Sequence, residues 1–371
     1  MQNVKLVPSS KLRLKSSIAL YQESGCLHFF KTNTRESFYL SFANSNIDFI
    51  EILQEFDGNN TIEQIAKKNN LELSSLISLL SLLVKNHIII IADAQYDDLH
   101  DNYRLINFLE DFFISSGQIN KKLKDVKNKT VLIVGLGAVG SFVVDILARS
   151  GIENFIIVDD DVVDITNIHR QNMYFEDDVG MLKTDCIERE LLKINSNISV
   201  LKLNTKMDDN FFTSFDSTID LAINCADYPS VDFTSKIIAD YCMKFKIPHI
   251  IGGGYNLHLT LIGQSILPFK SSCFYCFETE LNKINGKYTK HMKKLVRKNR
   301  KIGSFSPLCS LSASLTALES FKILYGLEDK LVNLSKRIEF KIRNMDLEIL
   351  EIPRDKECFV CKENNNVNKR N

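Results

Sequence analysis

The chain has 371 residues, of which 44% are hydrophobic and 25% charged, as in globular proteins of two or three domains. Lysine plus arginine and aspartate plus glutamate both number 46, so no overall charge favours nucleic acid as a partner. No apolar run approaches the roughly 20 residues that cross a bilayer, and the N-terminus has no secretory signal. We therefore expect a cytoplasmic protein with neither a membrane nor a nucleic-acid partner.

Residues 1–95 are predicted to form a small separate module. Two or three short strands are expected within residues 17–39, followed by three helical segments and a strand at residues 88–91. Thr61 and Gln64 form a capping-box pattern at the start of the second helix. The third helix has leucines along one face, at Leu76, Leu79, Leu80 and Leu83. This order of elements indicates a winged-helix-like α+β domain.

A module of this kind binds nucleic acid, takes up an extended peptide along a sheet edge, or only supports the fold. The predicted second and third helices are not strongly basic, which disfavours nucleic acid. We therefore favour peptide docking. Residues 96–125 are predicted to be a linker and a helix, because residues 93–101 are acidic and contain few apolar side chains.

Residues 126–362 alternate between apolar strand segments and amphipathic helices. Strands are expected at residues 131–134, 155–158, 199–203, 221–224 and 249–251, and helices at 139–150 and 183–193. This alternation predicts an α/β fold with a doubly wound, mostly parallel, Rossmann-like sheet. A hairpin within residues 256–272, a helix at 311–325 and strands near 337–343 and 348–352 are expected after it. The Asn-rich tail, residues 363–371, is expected to be disordered.

A glycine motif follows the first of these strands. Gly135, Gly137 and Gly140 form a Gly-x-Gly-x-x-Gly pattern that opens a helix, and Asp159 follows 19 residues after Gly140, at the end of the next strand. The first glycine permits a tight turn, the second lets a phosphate approach the backbone, and the third lets helix and strand pack closely. Asp159 is placed to accept hydrogen bonds from ribose hydroxyls. The pattern therefore predicts a nucleotide site.

Residues beyond Asp159 favour ATP over NAD. Asn167, Arg170 and Lys183 place an amide and two cations where a triphosphate would extend, and such cations stabilise charge that develops in phosphoryl transfer. Asp227 follows the strand at 221–224, where a carboxylate can hold Mg²⁺ against phosphates; the alternative is a helix N-cap. An NAD oxidoreductase would leave both cations unexplained. The other acidic residues nearby are interpreted as solvated loop residues: Asp160, Asp161 and Asp164.

Four of the nine cysteines form two Cys-x-x-Cys pairs, Cys273 with Cys276 and Cys358 with Cys361. Each pair can chelate from one knuckle, and four thiolates close a tetrahedral shell around a structural Zn²⁺. Thiol–disulfide chemistry fits less well, because neither pair is predicted to open a helix after a strand. The other five cysteines are scattered, and their odd number suits the reduced thiols of the cytosol.

The order of these motifs resembles the ThiF/MoeB superfamily, the bacterial relatives of the ubiquitin-activating enzymes. The motifs are the three glycines, Asp159, Asn167-x-x-Arg170-Gln171, Lys183, Asp227 and the two cysteine pairs. Within the superfamily, the segments at residues 177–184 and 190–200 and the Gly254-Tyr255 pair are most similar to the microcin C adenylating enzymes. The resemblance covers roughly residues 100–361.

The resemblance implies ATP-dependent adenylation of a polypeptide's C-terminal carboxylate, with release of pyrophosphate. It implies that Asp159 holds the ribose and that Asp227 positions Mg²⁺ and the α-phosphate. The remaining residues implied for the ATP site are Asn167, Arg170, Gln171 and Lys183. Of the site residues, Arg170, Lys183 and Asp227 are expected to act in catalysis.

The resemblance also implies a homodimer, in which an arginine of the partner completes the phosphate clamp. Arg104 is the candidate for that arginine. Residues 281–303, which contain a basic stretch, correspond to a crossover loop over the substrate tail. Cys309 stands near the start of a predicted helix, and it is not expected to form a covalent thioester.

The leading hypothesis is an enzyme that adenylates a ribosomally made peptide in a microcin-C-like pathway, using ATP, Mg²⁺ and a structural Zn²⁺. Activation of a ubiquitin-like sulfur-carrier protein is an alternative in the same class, and the N-terminal module argues against it. A second alternative is a non-catalytic scaffold that presents a leader peptide to a cyclodehydratase. The presence of all the ATP-site residues favours the enzyme.

Overall fold

The computed structural model describes residues 5–41, 48–96, 99–256, 258–289 and 303–362 of the chain. The chain divides into two compact units, Met1–Lys124 and Asp125–Asn371. Each unit has its own hydrophobic core. The boundary assigns residues 96–124 to the same unit as the predicted N-terminal module.

The first unit contains strands in two antiparallel sheets and five helices among its described residues. In chain order its elements are β1 (Lys11–Leu14), β2 (Ile18–Glu23), β3 (Cys26–Lys31), β4 (Glu36–Ser41), α1 (Phe49–Gln54), β5 (Asp57–Thr61), α2 (Ile62–Lys68), α3 (Leu73–Lys85), β6 (Ile89–Ile91), α4 (Leu99–Leu109) and α5 (Ser116–Lys127). Strands β5, β1 and β6 form one sheet, and β2, β3 and β4 form the other.

Helices of the first unit form where the sequence signals them. At the start of α2, the Gln64 N–H donates to Thr61 Oγ1 at 3.2 Å and the Thr61 N–H donates to Gln64 Oε1 at 2.8 Å, so the capping box is confirmed. Leu76, Leu80 and Leu83 are buried along one face of α3. Strand β5 was not predicted, because its Asp-Gly-Asn-Asn-Thr sequence has no apolar alternation. The winged-helix arrangement itself stays a prediction.

A buried carboxylate ties the end of α4 to β1. Glu110 accepts hydrogen bonds from the Arg13 guanidinium and, at 2.7 Å, from the Tyr96 hydroxyl, while the Lys15 ammonium donates to the Glu110 carbonyl. Burial lowers the pKa of Lys15 to about 8. Helix α4 begins at Leu99, within the stretch expected to be a linker, because the apolar residues 99, 103, 106 and 109 repeat at helical spacing.

The second unit alternates strands and helices before it ends in a small antiparallel sheet. Its elements are β7 (Thr130–Val134), α6 (Gly140–Arg149), β8 (Asn154–Val158), α7 (Lys183–Ile194), β9 (Ser199–Leu203), β10 (Leu221–Asn224), α8 (Val231–Phe245), β11 (His249–Ile251), β12 (Gly254–Asn256), β13 (Leu259–Leu261), β14 (Gln264–Ile266), α9 (Phe274–Thr289), α10 (Ser306–Leu324), β15 (Lys336–Lys341) and β16 (Asp346–Glu351). The described residues also include short 3-10 helices between these elements.

A six-stranded sheet in the order β14-β11-β10-β7-β8-β9 forms the centre of the second unit. Strands β7 to β11 are parallel, and β14 pairs antiparallel with β11 at the edge. Val131, Leu132 and Ile133 of β7 are fully buried, as expected for a parallel strand covered on both faces. The predicted α/β fold with a mostly parallel sheet is confirmed. The strand order reverses at β7, and ligands bind at such switch points, beyond the carboxyl ends of the strands.

Strands β12, β13, β15 and β16 form the small antiparallel sheet. Helix α10 begins at Ser306, earlier than predicted, with Pro307 in its first turn, where the missing N–H breaks no helical bond. Residues 281–289, expected to begin the crossover loop, are the last turns of α9, where Lys283 pairs with Glu280 at 3.2 Å. Residues 290–302 of that loop and the predicted disordered tail lie outside the described residues. Among the residues that are described, no helix is long and apolar enough to cross a membrane.

Candidate functional site

The loop between β7 and α6 has the backbone geometry that its three glycines predict. Gly135 has a φ of +87°, and a Cβ there would lie 2.6 Å from the Ala226 nitrogen. A Cβ at Gly140 would lie 1.9 Å from the Gly135 oxygen, so neither position tolerates a side chain. A Cβ at Gly137 would meet nothing within 4 Å in the described part of the chain. Space for a ligand is therefore present at the second glycine, before the N-terminus of α6.

Asp159 lies directly after β8 and contacts the glycine loop. Its Oδ2 accepts the Leu136 N–H at 2.6 Å, and its Oδ1 accepts the Asp161 N–H at 2.9 Å. Burial raises the pKa of Asp159, and the nearby Lys183 ammonium opposes that rise. Each carboxylate oxygen has a second lone pair, so Asp159 can still accept a hydrogen bond from a ribose hydroxyl.

Lys183 is buried at the start of α7, where its ammonium donates to Asp161 Oδ2 at 2.8 Å. Asp161 is 66% exposed, as expected for a solvated loop residue, and it also supplies the counter-charge that a buried cation requires. Asp164 is exposed as predicted, and it also accepts the Thr166 N–H at 2.8 Å and caps a short 3-10 helix. The Lys183–Asp161 pair holds the start of α7 against the segment after β8.

Asn167, Arg170 and Gln171 lie in the segment that connects β8 to α7. Asn167 closes a capping box with Asp164, whose N–H donates to Asn167 Oδ1 at 3.0 Å. The Arg170 guanidinium is half-buried and donates to the Thr166 carbonyl. Gln171 is buried, and its Oε1 has no hydrogen-bond partner among the described residues. An unpaired buried carbonyl is costly, and a donor from a bound ligand would satisfy it.

Tyr174 holds this connecting segment against the glycine loop. Its buried hydroxyl donates to the Leu136 carbonyl at 2.8 Å, so Leu136 is bonded to both Tyr174 and Asp159. Burial raises the pKa of Tyr174, which keeps the hydroxyl protonated. Tyr174 was not among the predicted site residues, because one tyrosine in a loop belongs to no motif. The only available signal was its position in the sequence, between Gln171 and Lys183 of the predicted nucleotide site.

Asp227 is exposed, three residues beyond the end of β10. The backbone that leads to it is fixed, since the Cys225 N–H donates to the Val134 carbonyl at 2.7 Å. Helix α8 is capped by Ser230, whose hydroxyl accepts the Phe233 N–H at 3.2 Å. The alternative role of Asp227 as a helix N-cap is therefore wrong.

The carboxyl ends of three neighbouring strands thus place functional groups in one row: Asp159 after β8, the glycine loop after β7 and Asp227 after β10. Arg170 and Lys183 come from the segment that follows β8. A ribose acceptor, a helix N-terminus and two cations are the groups that bind a nucleotide with several phosphates. Arg104, the predicted arginine of the phosphate clamp, lies on α4, which belongs to the other unit.

The four paired cysteines form one cluster. All are buried, and their sulfur atoms lie within 4.8 Å of one another. Sulfur–sulfur distances are 3.8 Å for Cys273–Cys276, 3.6 Å for Cys273–Cys358 and 3.5 Å for Cys276–Cys361. Tetrahedral zinc with Zn–S bonds of about 2.3 Å places its sulfurs about 3.8 Å apart. Burial raises the pKa of the Cys273 and Cys276 thiols, so a bound cation is needed to hold them as thiolates. The cluster fits a zinc ion.

One reason given against thiol–disulfide chemistry is wrong. Cys273 immediately precedes α9 and Cys276 lies in its first turn, so this pair does open a helix. The cluster itself gives a better reason. Both pairs contribute to one closed shell, and the Asp355 N–H points at Cys276 Sγ at 3.4 Å, as donors do toward metal-bound thiolates.

Comparison with known proteins agrees with this geometry. A family model described as the ThiF family matches residues 104–360, which is more than half of the chain. The chain is 29% identical over 192 residues to the adenylyltransferase and sulfurtransferase UBA4 of Scheffersomyces stipitis, covering 50% of this chain and 42% of that protein. It is 28% identical over 206 residues to the molybdopterin-synthase adenylyltransferase of Salmonella typhimurium, covering 54% and 76%. It therefore spans less than half of the first curated relative.

Solved structures of MccB share the fold. E. coli MccB with AMPCPP and MccA matches with a TM-score of 0.71 at 22% identity, over 94% of this chain and 99% of MccB. A structure that names MccB a Microcin C7 biosynthetic enzyme, in complex with N-formylated MccA, matches with the same TM-score, identity and coverage. At this identity the match is evidence for the fold alone.

Alanine is expected to be tolerated at Gly137 and not at Gly140. The Gly140 Cβ would collide with the Gly135 oxygen, so the backbone would have to move, whereas the Gly137 Cβ would enter open space. We expect Gly140→Ala to lower the free energy of unfolding by about 3 kcal/mol and Gly137→Ala to change it by less than about 1 kcal/mol. Urea unfolding followed by circular dichroism measures both. Equal stability of the two variants would contradict this packing.

Proposed function

We propose, from the premise that the chain belongs to the ThiF family, that it is an ATP-dependent adenylyltransferase that activates the C-terminal carboxylate of a ribosomally made peptide. The observation that carries this proposal is the row of Asp159, the glycine loop and Asp227, flanked by Arg170 and Lys183. Asp159 is placed to bind the ribose of ATP, and the other groups are placed to bind its phosphates and the Mg²⁺ that accompanies them. Relatives named adenylyltransferases support the same reaction class.

Adenylation converts an unreactive carboxylate into a mixed anhydride with AMP. One carboxylate oxygen attacks the α-phosphorus and forms a new O–P bond. The bond between the α-phosphorus and the oxygen that bridges to the β-phosphate breaks, and pyrophosphate leaves with that oxygen and its electron pair. Because the carboxylate is already ionised, the step transfers no proton and requires no general base. Its requirements are alignment of the reactants and neutralisation of phosphate charge.

Each site residue has a role in this step. Asp159 accepts hydrogen bonds from the ribose with the lone pairs that its backbone bonds leave open. The N-terminus of α6, open at Gly137, receives the phosphates. Neutralising and hydrogen-bonding contacts to the phosphates come from Asn167, Arg170, Gln171 and Lys183. Cations at these positions stabilise the charge on the departing pyrophosphate.

Asp227 is proposed to hold Mg²⁺. Its carboxylate is exposed beyond β10, beside the glycine loop, and carboxylate oxygens are ligands that Mg²⁺ prefers. Magnesium at this position supplies positive charge to the phosphate oxygens when ATP is bound. The backbone bond from Cys225 to Val134 fixes where the carboxylate emerges.

We favour a short peptide as the substrate. MccB, solved with MccA, matches over 99% of its own length, and that match takes in 94% of this chain. The N-terminal unit supports peptide docking, because β2, β4 and β5 each have one strand neighbour in the described sheets, and an extended peptide can add to such an edge. The product would then belong to the biosynthesis of a microcin-C-like peptide antibiotic.

Activation of a ubiquitin-like sulfur-carrier protein is the second candidate, which the names of the curated relatives favour. The chemistry would be the same, because a carrier of that kind also presents a C-terminal carboxylate. A covalent thioester is part of neither proposal. Residues 277–308 contain no cysteine, and Cys309 is fully buried.

Exchange of label between pyrophosphate and ATP tests the adenylation. With ATP, Mg²⁺ and either MccA or a short peptide encoded beside its gene, the protein should incorporate labelled pyrophosphate into ATP and form a peptide–AMP mass. Asp227→Asn should lower the rate about 100-fold, because it removes the charge that holds Mg²⁺. Asp216→Asn is the control, since Asp216 is exposed in the same unit and outside the row.

If the Asp227→Asn variant kept the full rate of pyrophosphate exchange, the proposed role of Asp227 in holding Mg²⁺ would be wrong. Exchange with a purified sulfur-carrier protein, and with neither peptide, would favour the second candidate. If the protein bound ATP but catalysed no exchange with any of these substrates, the result would favour a non-catalytic scaffold.

The four-cysteine cluster is proposed to hold structural Zn²⁺. Metal analysis should find about one zinc per chain. Cys361→Ser should lose the metal and lower the thermal midpoint, because an incomplete shell leaves buried thiols without a cation. Cys26→Ser, which changes a cysteine of the other unit, should retain the metal. Zinc-free protein of unchanged stability would refute this assignment.

A homodimer is proposed through the segment between β8 and α7. Five large apolar side chains of this segment are 42–57% exposed, namely Val162, Ile165, Phe175, Val179 and Met181. Exposed apolar groups concentrated in one segment mark an interaction surface. The same segment carries Asn167 and Arg170, so a partner seated there would border the ATP site. Arg104 of the partner subunit is the proposed last member of the phosphate clamp.

Light scattering should therefore give twice the 42.4 kDa mass of the chain. Phe175→Asp is expected to yield monomers, because it places a charge in the apolar surface. Phe245→Asp is the control, since Phe245 is 54% exposed at the end of α8. A monomer in the unmodified protein would rule out the dimer.

A further inference from the structure

Adenine is the part of ATP to which the proposed function assigns no contact. The ribose is assigned to Asp159, after β8, and the phosphates to the glycine loop, after β7. The base is bonded to the ribose and points away from the phosphates, and the next strand beyond β8 in the sheet is β9. The side chains that lie beside Asp159 on the β9 side are therefore the ones that the base can contact.

Lys206 lies beside the proposed ribose acceptor. It comes three residues after the end of β9, and its ammonium lies 3.5 Å from Asp160 Oδ2. The carboxylates of Asp159, Asp160 and Asp161 each have an oxygen within 4.8 Å of the other two. The Asp159 N–H also donates to the Leu203 carbonyl, at 3.3 Å, and so joins the end of β9 to the residue after β8. These contacts place the Lys206 ammonium next to the carboxylate that is proposed to bind the ribose.

Tyr228 reaches the same ammonium from the segment after β10. It directly follows Asp227, the proposed Mg²⁺ ligand, and the Lys206 Nζ atom lies over its ring, 4.9 Å from the ring centroid. A cation within about 6 Å of an aromatic face is attracted to it. The Tyr228 side chain is nevertheless 70% exposed, so the ammonium covers only part of the ring. Lys206 thus holds an open aromatic surface beside the proposed ribose site.

We infer that the exposed face of the Tyr228 ring stacks on the adenine of ATP, while Lys206 holds the ring from its other face. This inference rests on the ATP site of the proposed function and assigns the base-binding side chain to it. Every nucleobase has a flat face that stacks on aromatic side chains. A purine has a larger face than a pyrimidine, so this contact favours ATP over UTP and CTP. The phenolic hydroxyl has no part in it, because stacking uses the ring alone.

Tyr228→Ala tests the stacking, because it removes the ring. Calorimetry in the presence of Mg²⁺ measures Kd for AMPCPP and, separately, for tripolyphosphate, which has the phosphates and no base. We expect Kd for AMPCPP to rise about 10-fold, equivalent to about 1.4 kcal/mol, with Kd for tripolyphosphate changed less than about twofold. Tyr228→Phe should keep the Kd for AMPCPP, since it keeps the ring. Lys206→Met should raise that Kd by a smaller factor than Tyr228→Ala, because the ring stays but loses the cation that holds it.

Phe245→Ala is the matched control and should change neither Kd. Phe245 is 54% exposed at the C-terminal end of α8, and the Lys244 ammonium lies 5.2 Å from its ring centroid, so it makes the same kind of contact outside the row.

An unchanged Kd for AMPCPP in Tyr228→Ala would overturn the inference. An equal loss of affinity for AMPCPP and tripolyphosphate would overturn it as well, because the substitution would then act through the phosphate site. If the unmodified protein did not bind AMPCPP, the proposed ATP site and the inference would both be wrong. The expected changes in Kd together with no pyrophosphate exchange would support the stacking and overturn the adenylation alone.

Discussion

The close approach of the backbone after β7 to the backbone after β10 is the contact on which the rest of the site depends. A Cβ at Gly135 would lie within 2.7 Å of three backbone atoms of Cys225 and Ala226. Hydrogen bonds from the Gly135 N–H to the Val158 carbonyl, at 2.8 Å, and from the Cys225 N–H to the Val134 carbonyl, at 2.7 Å, continue the sheet past the ends of its strands. Because only glycine permits this approach, the segments after β8, β7 and β10 can lie side by side, and the residues proposed to bind ribose, phosphate and metal fall in one row.

Charge explains why this row suits ATP. Lys183 is buried, and its ammonium is compensated by Asp161 and by the carboxylate of Asp159. A buried cation next to carboxylates is stable only while its counter-charges stay close. In the proposed function, the phosphate oxygens of ATP would add counter-charge at the same place, and the cations are in position before ATP binds. A dinucleotide with two phosphates and no leaving pyrophosphate would make less use of Lys183 and Arg170.

Patterns that depend on near neighbours could be predicted from the sequence. The strand segments 199–203, 221–224 and 249–251 were predicted with the bounds that the structure shows, because short segments of apolar or alternating residues between polar ones are typical of strands. The parts that were missed depend on the folded chain. Strand β5 is polar and forms because β1 pairs with it. The ion pair between Asp161 and Lys183 joins the two ends of the segment that connects β8 to α7. Tyr174 belongs to no motif, and its importance follows only from what it contacts.

Transfer of an oxygen atom from the peptide to AMP tests the central claim most directly. A peptide labelled with ¹⁸O in both oxygens of its C-terminal carboxylate is incubated with the protein, ATP, Mg²⁺ and hydroxylamine, which cleaves an acyl adenylate at the carbonyl carbon. If the carboxylate attacks the α-phosphorus, the AMP that is released carries one ¹⁸O atom. AMP without ¹⁸O, formed at the same rate, would show that water attacks the phosphorus and would contradict peptide adenylation.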